Sequence, residues 1–145
     1  GVCMYRNLFQ SVVIALLLVA GGVQAEGPSR SQRNKLVPTQ NAYVAAVRWG
    51  DFEKAEGFID PLYLQQHPLT DLQRERYRQL QVSSYRERSA GVGADGSIER
   101  RVEMGVINRN TQAERLVMVN ERWRWDPEAK RWWQAAGLPD LWQGQ

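Results

Sequence analysis

One cysteine and one histidine stand among the 145 residues of this chain. A single Cys excludes a disulfide framework and every Cys-based zinc module. A single His, His67, excludes a His-rich metal site and leaves one imidazole for acid–base work. Charge of one sign is scarce as well. The 19 Lys and Arg are balanced by 16 Asp and Glu, for a net charge of +3, too small an excess for a nucleic-acid footprint. No internal repeat is present. What remains, 43% hydrophobic and 24% charged residues, is ordinary globular composition at a length that suits one domain. No metal and no cofactor is expected.

The N-terminus reads as an export signal. Arg6 is the only charge before the apolar run from Ser11 to Ala20, and Val23 and Ala25 offer small residues ahead of the polar Glu26, as a signal-peptidase site requires. Residues 1–25 are therefore expected to be a signal peptide, and the protein periplasmic or secreted. The alternative is a retained membrane anchor. It is opposed by the 16 positions from Leu8 to Val23, fewer than the roughly 20 a span needs, and by Arg30, Arg33 and Lys35 on the wrong side for the positive-inside rule. Cleavage at Ala25 would leave a domain without any Cys, held by its core alone.

Residues 26–38, with Gly27, Pro28, Pro38 and little apolar content, read as a solvated, mobile leader. The domain proper is expected over 39–145. Thr39 or Asn41 can cap a first helix carrying Tyr43, Ala46 and Val47, and Gly50-Asp51 stops it and caps a second. That second helix is expected to close at Asp60-Pro61, and a third runs from Thr70 or Asp71 to about Arg78.

From Gln79 the period becomes two. Leu80, Val82 and Ser84 alternate with Gln81, Ser83 and Tyr85. Ile98, Val102, Met104 and Val106 share a face that Arg100 interrupts. Val117, Val119, Trp123 and Trp125 oppose Leu116, Met118 and Asn120, and Trp132 to Ala136 forms a fourth strand. Helices first and an antiparallel meander afterwards make an α+β fold with N-terminal helices packed on a curved sheet. The charged triplets at 86–88 and 99–101, with Glu121 and Arg122, are expected to line its solvated face.

Two chemical motifs fail on context. Gly91 to Gly96 spells G-x-G-x-x-G, but a strand follows where a phosphate site needs a helix, so Asp95-Gly96 is read as a hairpin turn. His67, between Gln66 and Pro68, is read as a loop residue. The six Trp residues are the strongest remaining signal. With four residues in the last turn, Trp125 would oppose Trp132 and Trp133 would oppose Arg124, giving an aromatic face and an Arg–Trp stack.

The helix–Gly-Asp–helix opening over Ala42 to Ala55 and the closing hairpin Arg122-Trp123-Arg124-Trp125 to Arg131-Trp132-Trp133 resemble the NTF2-like (SnoaL-like, cystatin-like) superfamily across about residues 39–142. The resemblance implies a curved sheet wrapped around helices to form a conical apolar pocket. Its members include isomerases, dehydratases, binding proteins and non-catalytic accessory domains, so the fold does not select the function.

The expectation is an exported, non-catalytic binding or accessory module. It would hold an apolar small molecule or a protein partner on its sheet, with Trp49, Phe58, Tyr63, Trp123 and Trp125 lining the pocket. The alternative is a small lyase or isomerase using Asp60 or His67 as base. Filling of the pocket by the tryptophans themselves would favour an interaction role for the exposed sheet face or edge. Arg30, Arg33 and Lys35 allow weak contact with an anionic membrane surface, nucleic acid is not expected as a partner, and a homodimer is left open.

Overall fold

The computed structural model describes residues 27–143, so the expected signal peptide of residues 1–25 lies outside the described residues. The chain is α+β. Four helices, α1 (Arg30–Arg48), α2 (Phe52–Glu56), α3 (Pro61–Gln66) and α4 (Asp71–Arg78), precede four strands, β1 (Leu80–Val92), β2 (Ile98–Asn108), β3 (Glu114–Asp126) and β4 (Arg131–Gln134). The strands form one antiparallel sheet in chain order.

The expected mobile leader is instead the first half of α1. Ser29 caps it: its hydroxyl accepts from the Gln32 amide while the Gln32 side chain returns to the Ser29 amide, a complete capping box. Pro38 sits inside the helix, where it lacks a hydrogen-bonding amide and is costly. Tertiary packing outweighs that cost, since Leu36 and Gln40 on either side of it are buried and Trp132 donates its indole N–H to the Gln32 carbonyl at 2.8 Å.

Gly50 and Asp51 act as their sequence suggests. Gly50 has φ +74°, and Asp51 accepts from the Lys54 amide to start α2. Asp60-Pro61 does more than close a helix, because Asp60 caps a further one, α3, with Pro61 at its first turn. Thr70 caps α4 through a second capping box.

Helix α1 approaches β1 and β4, the two outer strands, more closely than the strands between them. A sheet curled around the helix has that property. The core fills the trough: Tyr43, Val47, Val102, Met104, Val106 and Trp123 are each fully buried. Two register shifts in β1, between Val82 and Ser84 and between Glu87 and Ser89, supply the bends. The first also revises the sequence alternation. Past the bulge Ser84 pairs with Gly105 and Tyr85 pairs with Met104, so Tyr85 points inward and Ser84 does not.

The hairpins follow their turn residues. Gly91 ends in β1, and Gly93 to Ser97 form the β1–β2 turn, with the Gly93 amide donating to the Ser97 carbonyl and Gly96 at φ +81°. Trp125 pairs with Trp132 and Arg124 with Trp133, the register expected from a four-residue turn. The strand stops at Gln134 rather than Ala136. Beyond it the tail passes along β3, where the Arg115 guanidinium donates to the carbonyl of Leu141, and Tyr77 of α4 donates to that of Pro139 at 2.7 Å. On the outer side of β4, the Gln134 amide and carbonyl pair with Phe58 and Asp60. One edge of the sheet is thereby covered, while β1 forms the other.

Candidate functional site

The inner face of β3 carries Val117, Val119, Glu121 and Trp123, all buried. Glu121 belongs to this row by parity alone, being two residues before Trp123. Its partner on β2 is Arg100, which parity likewise turns inward between Ile98 and Val102. The expectation of a solvated charged face is corrected for two of its residues: Arg100 and Glu121 lie on the inner face, with side-chain exposures of 9% and 2%, while Arg86, Glu87, Arg88, Glu99 and Arg101 are exposed.

A closed polar network results. Glu121 Oε1 accepts from the Trp123 indole at 2.6 Å and from Arg100 Nε at 2.8 Å, and its Oε2 accepts from the Tyr85 hydroxyl. Arg100 also donates to the Tyr85 oxygen at 2.9 Å and stands 3.7 Å from Glu87. Burial, followed by the charge of Glu121, pushes the Tyr85 hydroxyl far above its ordinary pKa, so it remains a donor. Burial works against the Arg100 charge, but Glu121 and Tyr85 outweigh it and hold the guanidinium protonated. Tyr43, on α1, is fully buried and its hydroxyl accepts from Gln134 Nε2 at 3.2 Å. Burial and then Glu121 raise its pKa in the same sense.

The expected pocket residues divide. Phe58 and Trp123 meet through Tyr43, whose ring lies edge-on to both at centroid distances of 6.0 and 5.4 Å. Trp123 is fully buried, a member of the core. Trp125, half-buried, packs edge-on against Trp132 at 5.6 Å with the Lys35 ammonium over its ring. Tyr63 stacks on His67 at 4.5 Å and borders a cavity of about 250 Å³ with Tyr43, Glu121 and Gln134. Trp49 stands apart, 86% exposed at the end of α1. The expected Arg124–Trp133 stack is replaced by Arg131, whose guanidinium lies 3.5 Å from the centroid of the Trp133 ring.

Arg124 turns instead to Asp60. Its Nε and Nη2 donate to the two carboxylate oxygens at 2.7 and 3.0 Å, and the Leu62 amide donates to Asp60 as well. Burial alone would raise the Asp60 pKa. The hydrogen bonds of Arg124 and Leu62, with the Arg124 charge, outweigh that effect and hold the carboxyl below its ordinary range. Asp60 thus caps α3 as a carboxylate held by Arg124 and the Leu62 amide. His67 is exposed at the end of α3, stacked on Tyr63. Among the described residues no buried side-chain nitrogen or oxygen lacks a partner, and no three His, Cys, Asp or Glu residues are grouped to hold a metal.

On the outer face, Leu116 is 66% exposed and lies between half-buried Ile107 and Met118, opposite Gly105. Ion pairs flank this strip: Arg88 with Glu103 at 2.8 Å and Arg122 with Asp95 at 2.9 Å. No protein-family model matches the chain, and no curated protein or solved structure shows significant similarity to it. Among the described residues no helix is long and apolar enough to cross a membrane.

Proposed function

We propose that this chain is an exported, non-catalytic accessory module of NTF2-like architecture that holds a protein partner on its sheet. The observation that carries the reading is the full burial of Trp123 against Tyr43. Tyr43 and Trp123 are packed core side chains, which counts against an apolar ligand lodged between them. A small apolar molecule would have to displace packed core to enter, at a cost of several kcal/mol.

The acid–base reading finds little support at the same place. A general base needs a free lone pair within reach of a substrate proton. Glu121 spends its oxygens on Arg100, Trp123 and Tyr85, and Asp60 spends its own on Arg124 and Leu62.

The outer face suits a partner better. Leu116, Ile107 and Met118 form an apolar centre with charged residues around it, and an apolar core inside a polar rim is the usual anatomy of an interface. Native mass spectrometry of the protein from its own cell envelope tests this. The expected species is the bare chain or the chain with a protein partner, and Leu116→Glu should abolish that complex without lowering Tm. A stoichiometric apolar small molecule that survives Leu116→Glu would overturn the proposal.

A further inference from the structure

The charge of this protein is unevenly placed. Residues 27–50 hold four basic side chains, Arg30, Arg33, Lys35 and Arg48, and no acidic one, whereas residues 51–145 hold 14 basic and 15 acidic side chains. The first group is α1 with its flanks. Its buried side, with Leu36, Gln40, Tyr43 and Val47, faces the sheet, and all four exposed cations lie outside it: Arg30 and Arg48 on the outer side, Arg33 and Lys35 on its two flanks, Lys35 with its ammonium over the Trp125 ring. Among the described residues none of them is in an ion pair, in contrast to Arg74, Arg88, Arg100, Arg122 and Arg124.

We propose that the outer side of α1 docks on an anionic lipid bilayer. Arg30 and Arg48 are five helical turns apart, so they project to the same side about 27 Å from one another, and a 57% exposed Val37 lies on that side between them. Trp49 follows at once, 86% exposed. An amphipathic indole beside cations is the side chain that settles at the headgroup level of a bilayer.

The sequence ahead of α1 points to the same occupant. The apolar run ends at Val23 and Ser29 caps the helix, so at most about 21 Å of extended chain separates them. A basic patch next to an apolar segment is a second signal for attachment to a bilayer. The patch itself lies wholly after Ala25 and acts whether or not residues 1–25 remain attached. Each cation held at an anionic surface is worth roughly a fivefold gain in affinity, and salt screens it.

The test is flotation of the full chain with vesicles of pure phosphatidylcholine and of phosphatidylcholine with an equal part of phosphatidylglycerol. The expected result is binding at least tenfold tighter to the anionic vesicles, with the difference lost in 0.5 M NaCl. The variant Arg30→Gln/Arg33→Gln/Lys35→Gln/Arg48→Gln should bind both vesicles alike. Trp49→Ala, which removes an exposed side chain and leaves the fold intact, should weaken anionic binding severalfold. Circular dichroism checks that each variant is folded. Equal binding of the wild type to both vesicles overturns the proposal, as does retention of the preference by the quadruple variant. Competition by soluble polyphosphate with no effect of Trp49→Ala also overturns it, identifying a general polyanion site instead.

Discussion

Trp123 donates its indole N–H to Glu121, two residues back on the same strand and the same buried face, at 2.6 Å. A large apolar ring and a carboxylate are thereby buried side by side. The carboxylate is tolerable there because Arg100 on β2 neutralises it and Tyr85 on β1 completes its hydrogen bonds. Three of the four strands of the sheet, β1, β2 and β3, are pinned to one another at this level by polar contacts, while Tyr43 of α1 packs on Trp123.

Trp123→Ala should therefore cost about 3–5 kcal/mol of stability, the range for removing a buried aromatic side chain. Trp49→Ala, at an exposed site, should change stability by no more than about 0.5 kcal/mol. Urea unfolding measures both. Equal costs would refute the assignment of Trp123 to the core.

Arg100→Met leaves the Glu121 carboxylate buried without its cation and should lose about 3–5 kcal/mol. Replacing both members, Arg100→Met with Glu121→Met, should recover much of that loss, because no uncompensated charge remains. A double-mutant cycle in chemical denaturation reads the coupling directly. Additive losses would show that the two side chains do not act as a pair.

The Asp60–Arg124 pair makes stability depend on pH in the acid range. The folded-state pKa of Asp60 is lowered, so its contribution is fully present above the unfolded value of about 3.9 and fades as the pH falls through the folded value. Asp60→Asn should flatten the stability profile below about pH 4 relative to the wild type, with little change in slope above pH 5. Denaturation midpoints between pH 2 and 7 provide the comparison, and an unchanged acid slope in the variant would rule the pair out as its source.

Ser29→Ala removes half of the capping box at the start of α1 and should cost about 1 kcal/mol. The effect belongs to the first turn of the helix. Hydrogen exchange should accelerate at the amides after Ser29, Gln32 included, and leave those near Tyr43 protected. Uniform acceleration along α1 would mean that the cap stabilises the whole domain.

Much of the frame was legible from local chemistry. Gly50-Asp51, Thr70 and the Gly93–Gly96 turn act through their own backbone and side-chain preferences, which need no tertiary partner. Glu121 and Arg100 are also legible, since both fall in step with inward-facing neighbours, although their charge by itself points to solvent. Parity is the stronger signal in a strand with one covered face, because a side chain can be turned outward only by a bulge. The inward turn of Tyr85 had no such signal, since the bulge that produces it depends on pairing with β2.

By itself, then, the sequence determined the α+β order, the strand alternation and the hairpin register that sets Trp125 against Trp132, because each depends on neighbours a few residues apart. Only the tertiary structure decided that 30–38 is helix despite Pro38, that Trp123 is core while Trp49 is bare, and that Arg124 leaves Trp133 for Asp60. Each of these rests on contacts between residues far apart in the chain, from Gln32 with Trp132 to Asp60 with Arg124. Local pattern carries no record of such energies, and packing in a curled sheet can outweigh a proline or turn a charge inward when a partner waits there.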